Sequence, residues 1–289
     1  MDVGGVGRNG ERSEPARSAP KGQPGRIEAL EDGMRTEGGP GGYEWWYFDS
    51  HLHDGSSLVI VFYTKPQLNP DGELAPFVSL ELDRPGQPPI SVEAHVLPDA
   101  FSARRDRCDV RIGENTFRGN LQEYDIHVSH DDVTVDIKLT SQVPSWRPTS
   151  GYMFFGEHDE HVFAWLAAVP QGEVSVDLNI RGKKEHLQGV GYHDHNWGDV
   201  SMAKLINHWY WGRAQAGDYS IVASYIFAEK AYGNAELPIF MLAKGGRSLP
   251  MMPERSGSTS KTSMRTRQAA NRSRTTLSTS MRMGRNGIG

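Results

Sequence analysis

One cysteine in 289 residues leaves Cys108 without a partner for an internal disulfide. That favours a reducing compartment. No run of 18 or more apolar residues occurs, so no membrane-spanning helix is expected. The N-terminal residues include Arg and Lys but lack the apolar stretch of a secretory signal. There is no Gly-x-Ser-x-Gly, no Gly-x-Gly-x-x-Gly after a strand and no phosphate loop. These absences argue against serine-hydrolase chemistry and nucleotide cofactors. Cys108 lies in an Arg-rich run with Arg104, Arg105 and Arg107, a poor setting for cysteine-hydrolase chemistry. Positive charge is scarce in the body of the chain. Residues 245–289 hold nine Lys and Arg against one Glu, a local +8, so the overall −5 leaves −13 on the rest. An acidic body argues against nucleic acid as a partner.

Apolar content is low, at 37% with a mean hydropathy of −0.56, and the shortfall lies at the two ends. Residues 1–40 are rich in Gly, Arg, Glu, Pro and Ser and are expected to be disordered, apart from a short helical turn around Ile27 to Leu30. The folded part opens at Tyr43-Glu44-Trp45-Trp46-Tyr47-Phe48-Asp49-Ser50, an aromatic strand. Asp54-Gly55 supplies a turn, and Leu58 to Thr64 returns as the second strand of a hairpin. Further short strands are expected at 78–82, 90–96, 124–128, 133–139, 162–169, 174–180, 219–227 and 237–243. Val133 to Leu139 alternates apolar with polar, the mark of a half-solvated antiparallel strand. A helical period is nearly absent outside 200–206. Many short strands between turns mean an all-β barrel or sandwich.

From about Arg247 the chain is Ser, Thr, Arg, Met and Gly without pattern. One reading is a basic disordered tail. The other is a frameshift. Pro250-Met251-Met252-Pro253 is encoded CCN-ATG-ATG-CCN, and a G at the end of the first proline codon makes the neighbouring frame Asp-Asp-Ala.

The chain is organised around Gly189-Val190-Gly191-Tyr192-His193-Asp194-His195-Asn196-Trp197-Gly198-Asp199. On a strand, Val190, Tyr192, Asp194 and Asn196 share one face, and His193, His195 and Trp197 the other. His-x-His then offers only two same-face ligands, so no metal is expected there. Asp194 is the candidate acid, because burial among apolar walls raises a carboxyl pKa. Tyr192 lies on the same face and is the candidate partner. Trp45, Trp46, Trp165, Trp197, Trp209 and Trp211 are candidate substrate-binding walls whose π faces can stabilise a cation. The plainer alternative is that these aromatics are core and the aspartate a turn or cap residue. Asp49 reads as a strand-end hydrogen-bonding partner, and Arg213 as the partner of a buried carboxylate.

Two motifs carry a family resemblance. Tyr43 to Asp49 followed by Asp54-Gly55, and Gly191 to Gly198, resemble the two signatures of the carotenoid 1,2-hydratase (hydroxyneurosporene synthase) family and its AttH-like relatives. The match spans about 42–244. The resemblance implies two lipocalin-like β units with a hydrophobic cleft, and cofactor-free addition of water to a terminal double bond of an acyclic carotenoid. It assigns the acid to Asp194, assistance to Tyr192, and an earlier family tryptophan to Trp165. The same fold also hosts cyclases, including Diels–Alder enzymes.

The expected organisation is therefore a disordered segment at 1–40, a lipocalin-like domain at 41–206, the start of a second at 207–245, cut short, and a tail at 246–289. The expected function is a hydratase acting on an isoprenoid or polyene, without metal or cofactor. A hydrophobic-ligand carrier and a cyclase or isomerase are the alternatives. A cytoplasmic location is expected, with peripheral membrane contact for substrate uptake.

Overall fold

The computed structural model describes residues 26–249. The expectations for 1–25 and 250–289, including the frameshift reading, fall outside the described residues.

Sixteen strands follow in chain order among the described residues. They are β1 (Tyr43–Leu52), β2 (Ser57–Tyr63), β3 (Phe77–Asp83), β4 (Ile90–His95), β5 (Phe101–Ala103), β6 (Asp109–Ile112), β7 (Asn115–Gly119) and β8 (Glu123–His130), then β9 (Val133–Ser141), β10 (Tyr152–Phe155), β11 (His161–Ile180), β12 (Lys183–Gly198), β13 (Ile206–Ala216), β14 (Tyr219–Ala228), β15 (Glu236–Lys244) and β16 (Arg247–Ser248). A single α-helical turn, α1 (Met202–Leu205), precedes β13.

Twelve strands make one antiparallel sheet, in the order β4-β3-β2-β1-β12-β11-β9-β8-β7-β6-β5, with β10 added on β11. The sheet curls, so that Phe62 on β2 meets Phe117 on β7 edge to face at 5.6 Å. Alternation fills the inside of the curl. Leu58, Ile60 and Phe62 on β2, and Val135, Ile137 and Leu139 on β9, point into one core. A second sheet, β13-β14-β15-β16, packs a separate apolar cluster against the outer face of β1, β11 and β12. Those three strands are therefore covered on both faces where the second sheet lies. Val222 and Ile226 on β14 and Met241 on β15 meet Tyr43, Trp165 and Tyr192 there.

Two expectations need correcting. The runs 162–169 and 174–180 belong to one strand, β11, bent by register shifts between Leu166 and Val169 and between Val169 and Gly172. The bulge accommodates Pro170, which has no N–H to give to a ladder. Within the described part of the segment expected to be disordered, residues 26–40, more is ordered than the short helical turn expected around Ile27 to Leu30. Ala29–Asp32 forms a 3-10 turn, with Glu31 and Asp32 buried. Ile27 and Met34 pack against the core on either side of it, and polar contacts add to that hold. Arg147 donates to Glu31 at 2.7 Å, and Met34 N donates to the Arg104 carbonyl at 2.7 Å.

The β1–β2 hairpin turns at Asp54-Gly55, where Gly55 has φ 90° and the Asp54 carboxylate accepts from Ser56 N at 2.9 Å. Gly191 is needed for close packing of β12. A Cβ there would lie 2.3 Å from Val174 Cγ2.

Candidate active site

The site forms where β12 runs between β1 and β11. Trp45 and Trp165 both register with Asn196, Tyr47 with Asp194, and Asp49 with Tyr192. Strand parity then sends Tyr192, Asp194 and Asn196 outward toward the second sheet, and sends His193, His195 and Trp197 into the curl. The pattern read from the sequence is the one observed.

Asp194 is 7% exposed and takes three hydrogen bonds. Trp165 Nε1 donates to its Oδ2 at 2.9 Å, Tyr192 OH donates to the same oxygen at 2.8 Å, and Asn196 Nδ2 donates to Oδ1 at 2.6 Å. Burial pushes the Asp194 carboxyl up to about 7, against the opposing pull of the Tyr192 hydrogen bond, the nearby His193 and the other two donors. Burial also lifts the Tyr192 phenol well above its ordinary range, reinforced by the Asp194 carboxylate beside it. Tyr192 is thus held as a hydrogen-bond donor and is no base. A carboxyl titrating near neutrality inside a covered site is suited to giving and retaking a proton.

Asp194 and Asn196 open onto a cavity of about 160 Å³ between the two sheets. Trp45, Phe163 and Trp165 form its wall on the large sheet, and Trp209, Trp211 and Ile226 its wall on the small one. Met202 on α1, with Tyr47 and Tyr63, completes much of the lining. Of the six tryptophans proposed from sequence, Trp45, Trp165, Trp209 and Trp211 line this cavity. Trp46 and Trp197 do not, and that expectation is corrected. Both point into the curl, where Trp46 stacks on His195 at 4.6 Å and donates to the Asp32 carbonyl at 3.1 Å, and Trp197 lies 4.8 Å from His195. Parity explains both cases, since each sits one residue out of phase with the cavity face. Sequence reasoning placed Asn196 on the acid's face but gave it no role. Tyr47 was also missed, although it is in phase with Trp45.

Behind Asp194, the inner face carries a second polar group. His193 Nδ1 donates to the Tyr47 carbonyl at 2.9 Å and its Nε2 faces Asp32 at 3.2 Å. His195 Nε2 lies 2.8 Å from Glu44. Asp32, Cys108 and His193 bring three ligand-type atoms within 4.8 Å of one another. Asp32 Oδ2 already accepts from Tyr124 at 2.5 Å, and the Cys108 thiol faces the Phe117 carbonyl at 3.6 Å. As they stand, these residues form a hydrogen-bonded cluster that anchors the N-terminal turn to β12.

Arg213 on β13 pairs with buried Asp49 on β1, with Nε donating to Oδ1 at 2.7 Å, and Tyr47 OH donates to the other oxygen at 3.1 Å. This is the carboxylate partnership expected of Arg213.

A model of the Diels-Alderase-like family matches residues 116–264, more than half of the chain. The chain belongs to the Diels-Alderase-like family. This Diels-Alderase-like chain is 25% identical over 252 residues to a protein of Chlorobaculum tepidum named hydroxyneurosporene dehydrogenase, covering 75% of the chain and 65% of that relative. It is 26% identical over 195 residues to a quinolone epoxide rearrangement protein of Emericella nidulans, covering 62% of the chain and 53% of that relative. The chain therefore spans about two thirds of the first relative's length and about half of the second's. The crystal structure of a putative AttH from Nitrosomonas europaea superposes with a TM-score of 0.57 at 17% identity, covering 72% of the chain and 67% of that structure. That likeness concerns the fold, which is lipocalin-like and nearly all β, as the two motifs implied. No helix among the described residues is long and apolar enough to cross a membrane.

Proposed function

We propose that this protein is an acid catalyst that protonates a carbon–carbon double bond of an apolar isoprenoid or polyene and adds water to the resulting cation, with no cofactor taking part. One observation carries the reading: a carboxyl pushed up to about 7 by burial opens into a cavity walled by aromatic rings. The neutral carboxyl of Asp194 gives its proton to the alkene, leaving a carboxylate and a tertiary carbocation. Water adds to the cation, and the oxonium that forms returns a proton to Asp194. The net change is addition of one water, and the acid is regenerated. The rings of Trp45, Trp165, Trp209 and Trp211 face the charge while it exists, each worth up to ~2 kcal/mol when desolvated. A terminal prenyl end suits a cavity of about 160 Å³, with the rest of a long chain lying outside it. Uptake of such a substrate from a membrane surface belongs to the same proposal.

The relatives' names bear on this in different ways: one, a hydroxyneurosporene dehydrogenase by name, refers to the substrate class proposed here but to a different reaction, and the other refers to an epoxide rearrangement. The second favours an alternative on the same site, in which Asp194 opens an epoxide or starts a cyclisation and no water adds. A carrier that binds without turnover is the remaining reading. Incubation with lycopene or neurosporene, followed by mass analysis, tests the hydratase: a gain of one water is expected, lost in Asp194→Asn with binding retained. Turnover that persists in Asp194→Asn overturns the role of the acid.

A further inference from the structure

The three donors around Asp194 divide unequally between its two oxygens. Oδ2 takes both Trp165 Nε1 and Tyr192 OH. An indole N–H can only donate. The Tyr192 oxygen itself lies 3.2 Å from the same indole nitrogen and accepts from it, which directs the phenol proton to Asp194. Both lone pairs of Oδ2 are thus in use, and the neutral carboxyl must carry its proton on Oδ1.

Among the described residues, the side chain bonded to Oδ1 is that of Asn196, at 2.6 Å. The nitrogen and oxygen of an amide are assigned from their partners. An Oδ1 hydroxyl facing the amide nitrogen sets a donor against a donor. Turned over, the amide presents its carbonyl and accepts the acid's proton. Once the proton has left, the carboxylate needs a donor, and the amide nitrogen supplies it.

We propose that Asn196 is a positioning residue that holds the acidic proton on Oδ1 of Asp194 and reverses its amide when that proton leaves. This rests on the acid-catalysis reading above and deepens it. Asn196 is 5% exposed and lines the cavity, so the amide group not bonded to Asp194 faces the substrate space. In the acid state that group is the NH2. In the carboxylate state it is the carbonyl, which can accept from the water about to attack. One reversal therefore serves both half-reactions: it offers an acceptor to the water in the step where a cation waits for it, and the water's second proton is left for Asp194.

Neutron diffraction on ligand-free, deuterated wild-type protein at pH 5.5 and 8.5 tests the proposal without turnover. At the lower pH a deuteron is expected on Asp194 Oδ1, with the Asn196 carbonyl as its acceptor. At the higher pH the amide ND2 is expected to face Oδ1. An ND2 facing Asp194 at both pH values, or a deuteron on Oδ2, overturns it. If the acid reading alone is wrong, the amide still reverses but no substrate is turned over. A kinetic arm uses Asn196→Leu, which can neither accept nor donate. Its kcat should fall about a hundredfold with KM little changed, and circular dichroism should show a native fold. A folded Asn196→Leu protein with wild-type kcat also overturns the proposal.

Discussion

Arg213 on the small sheet donates to Asp49 on the large one, and both side chains are about 95% buried. The pair ties the two sheets together beside the cavity. Removing one partner strands a charge in the interior. Arg213→Met should therefore destabilise the fold by about 3–5 kcal/mol, read by chemical denaturation. The double variant Arg213→Met with Asp49→Leu should recover most of that loss. A single variant as stable as the wild type would show that the pair does not hold the sheets.

The raised pKa of Asp194 has a consequence for stability. The folded carboxyl titrates at about 7 and the unfolded one near 3.8. Between these values the folded state holds more protons, so stability is full below about pH 4 and falls as pH rises through 7. The fall amounts to roughly 4 kcal/mol at most. Asp194→Asn should remove this slope, so that the variant is more stable than wild type at pH 8. Parallel stability curves for the two proteins across pH 4–8 would contradict the burial of an uncharged acid.

Trp165→Phe keeps a ring and removes the donor to Asp194 Oδ2. Losing a hydrogen bond to the charged form raises the acid's pKa by about one unit. Any activity that needs the protonated acid should then extend to higher pH. Trp46→Phe, on the inner face, removes a bond to the Asp32 carbonyl, so it should lower stability and leave the pH profile in place.

The cavity tryptophans are separable from the core ones by the same logic. Trp45→Leu should reduce kcat by about thirtyfold, the equivalent of ~2 kcal/mol of cation stabilisation. Trp197→Leu should reduce stability without a comparable loss in kcat, because its ring lies against His195 inside the curl. Equal kinetic losses from both would contradict the assignment of faces.

Much of this arrangement is legible in the sequence because strand periodicity is simple. Placing Gly191 to Gly198 on a strand is enough to separate Asp194 from His193 and His195. Val133 to Leu139 states its own two faces. What is not legible depends on long-range partners. Asp32 reads as part of a polar leader until Tyr124 and His193, far along the chain, are seen to hold it. The strands β5, β6 and β7 are short, and Arg104, Arg105 and Arg107 fill the connection between the first two, so their pairing outweighs their composition. Trp46 and Trp197 share the aromatic character of the cavity wall but not its strand phase, and phase decides where they point. Asn196 shares its phase with Asp194, a signal the sequence itself carries.

The most direct test is a titration of the Asp194 carboxyl itself, using aspartate labelled at the side-chain carbon and Asp194→Asn to assign the signal. A midpoint near 7 is expected for the ligand-free protein. A midpoint near 4, the value of a solvated aspartate, would mean that the site holds a carboxylate at neutral pH and has no proton to give.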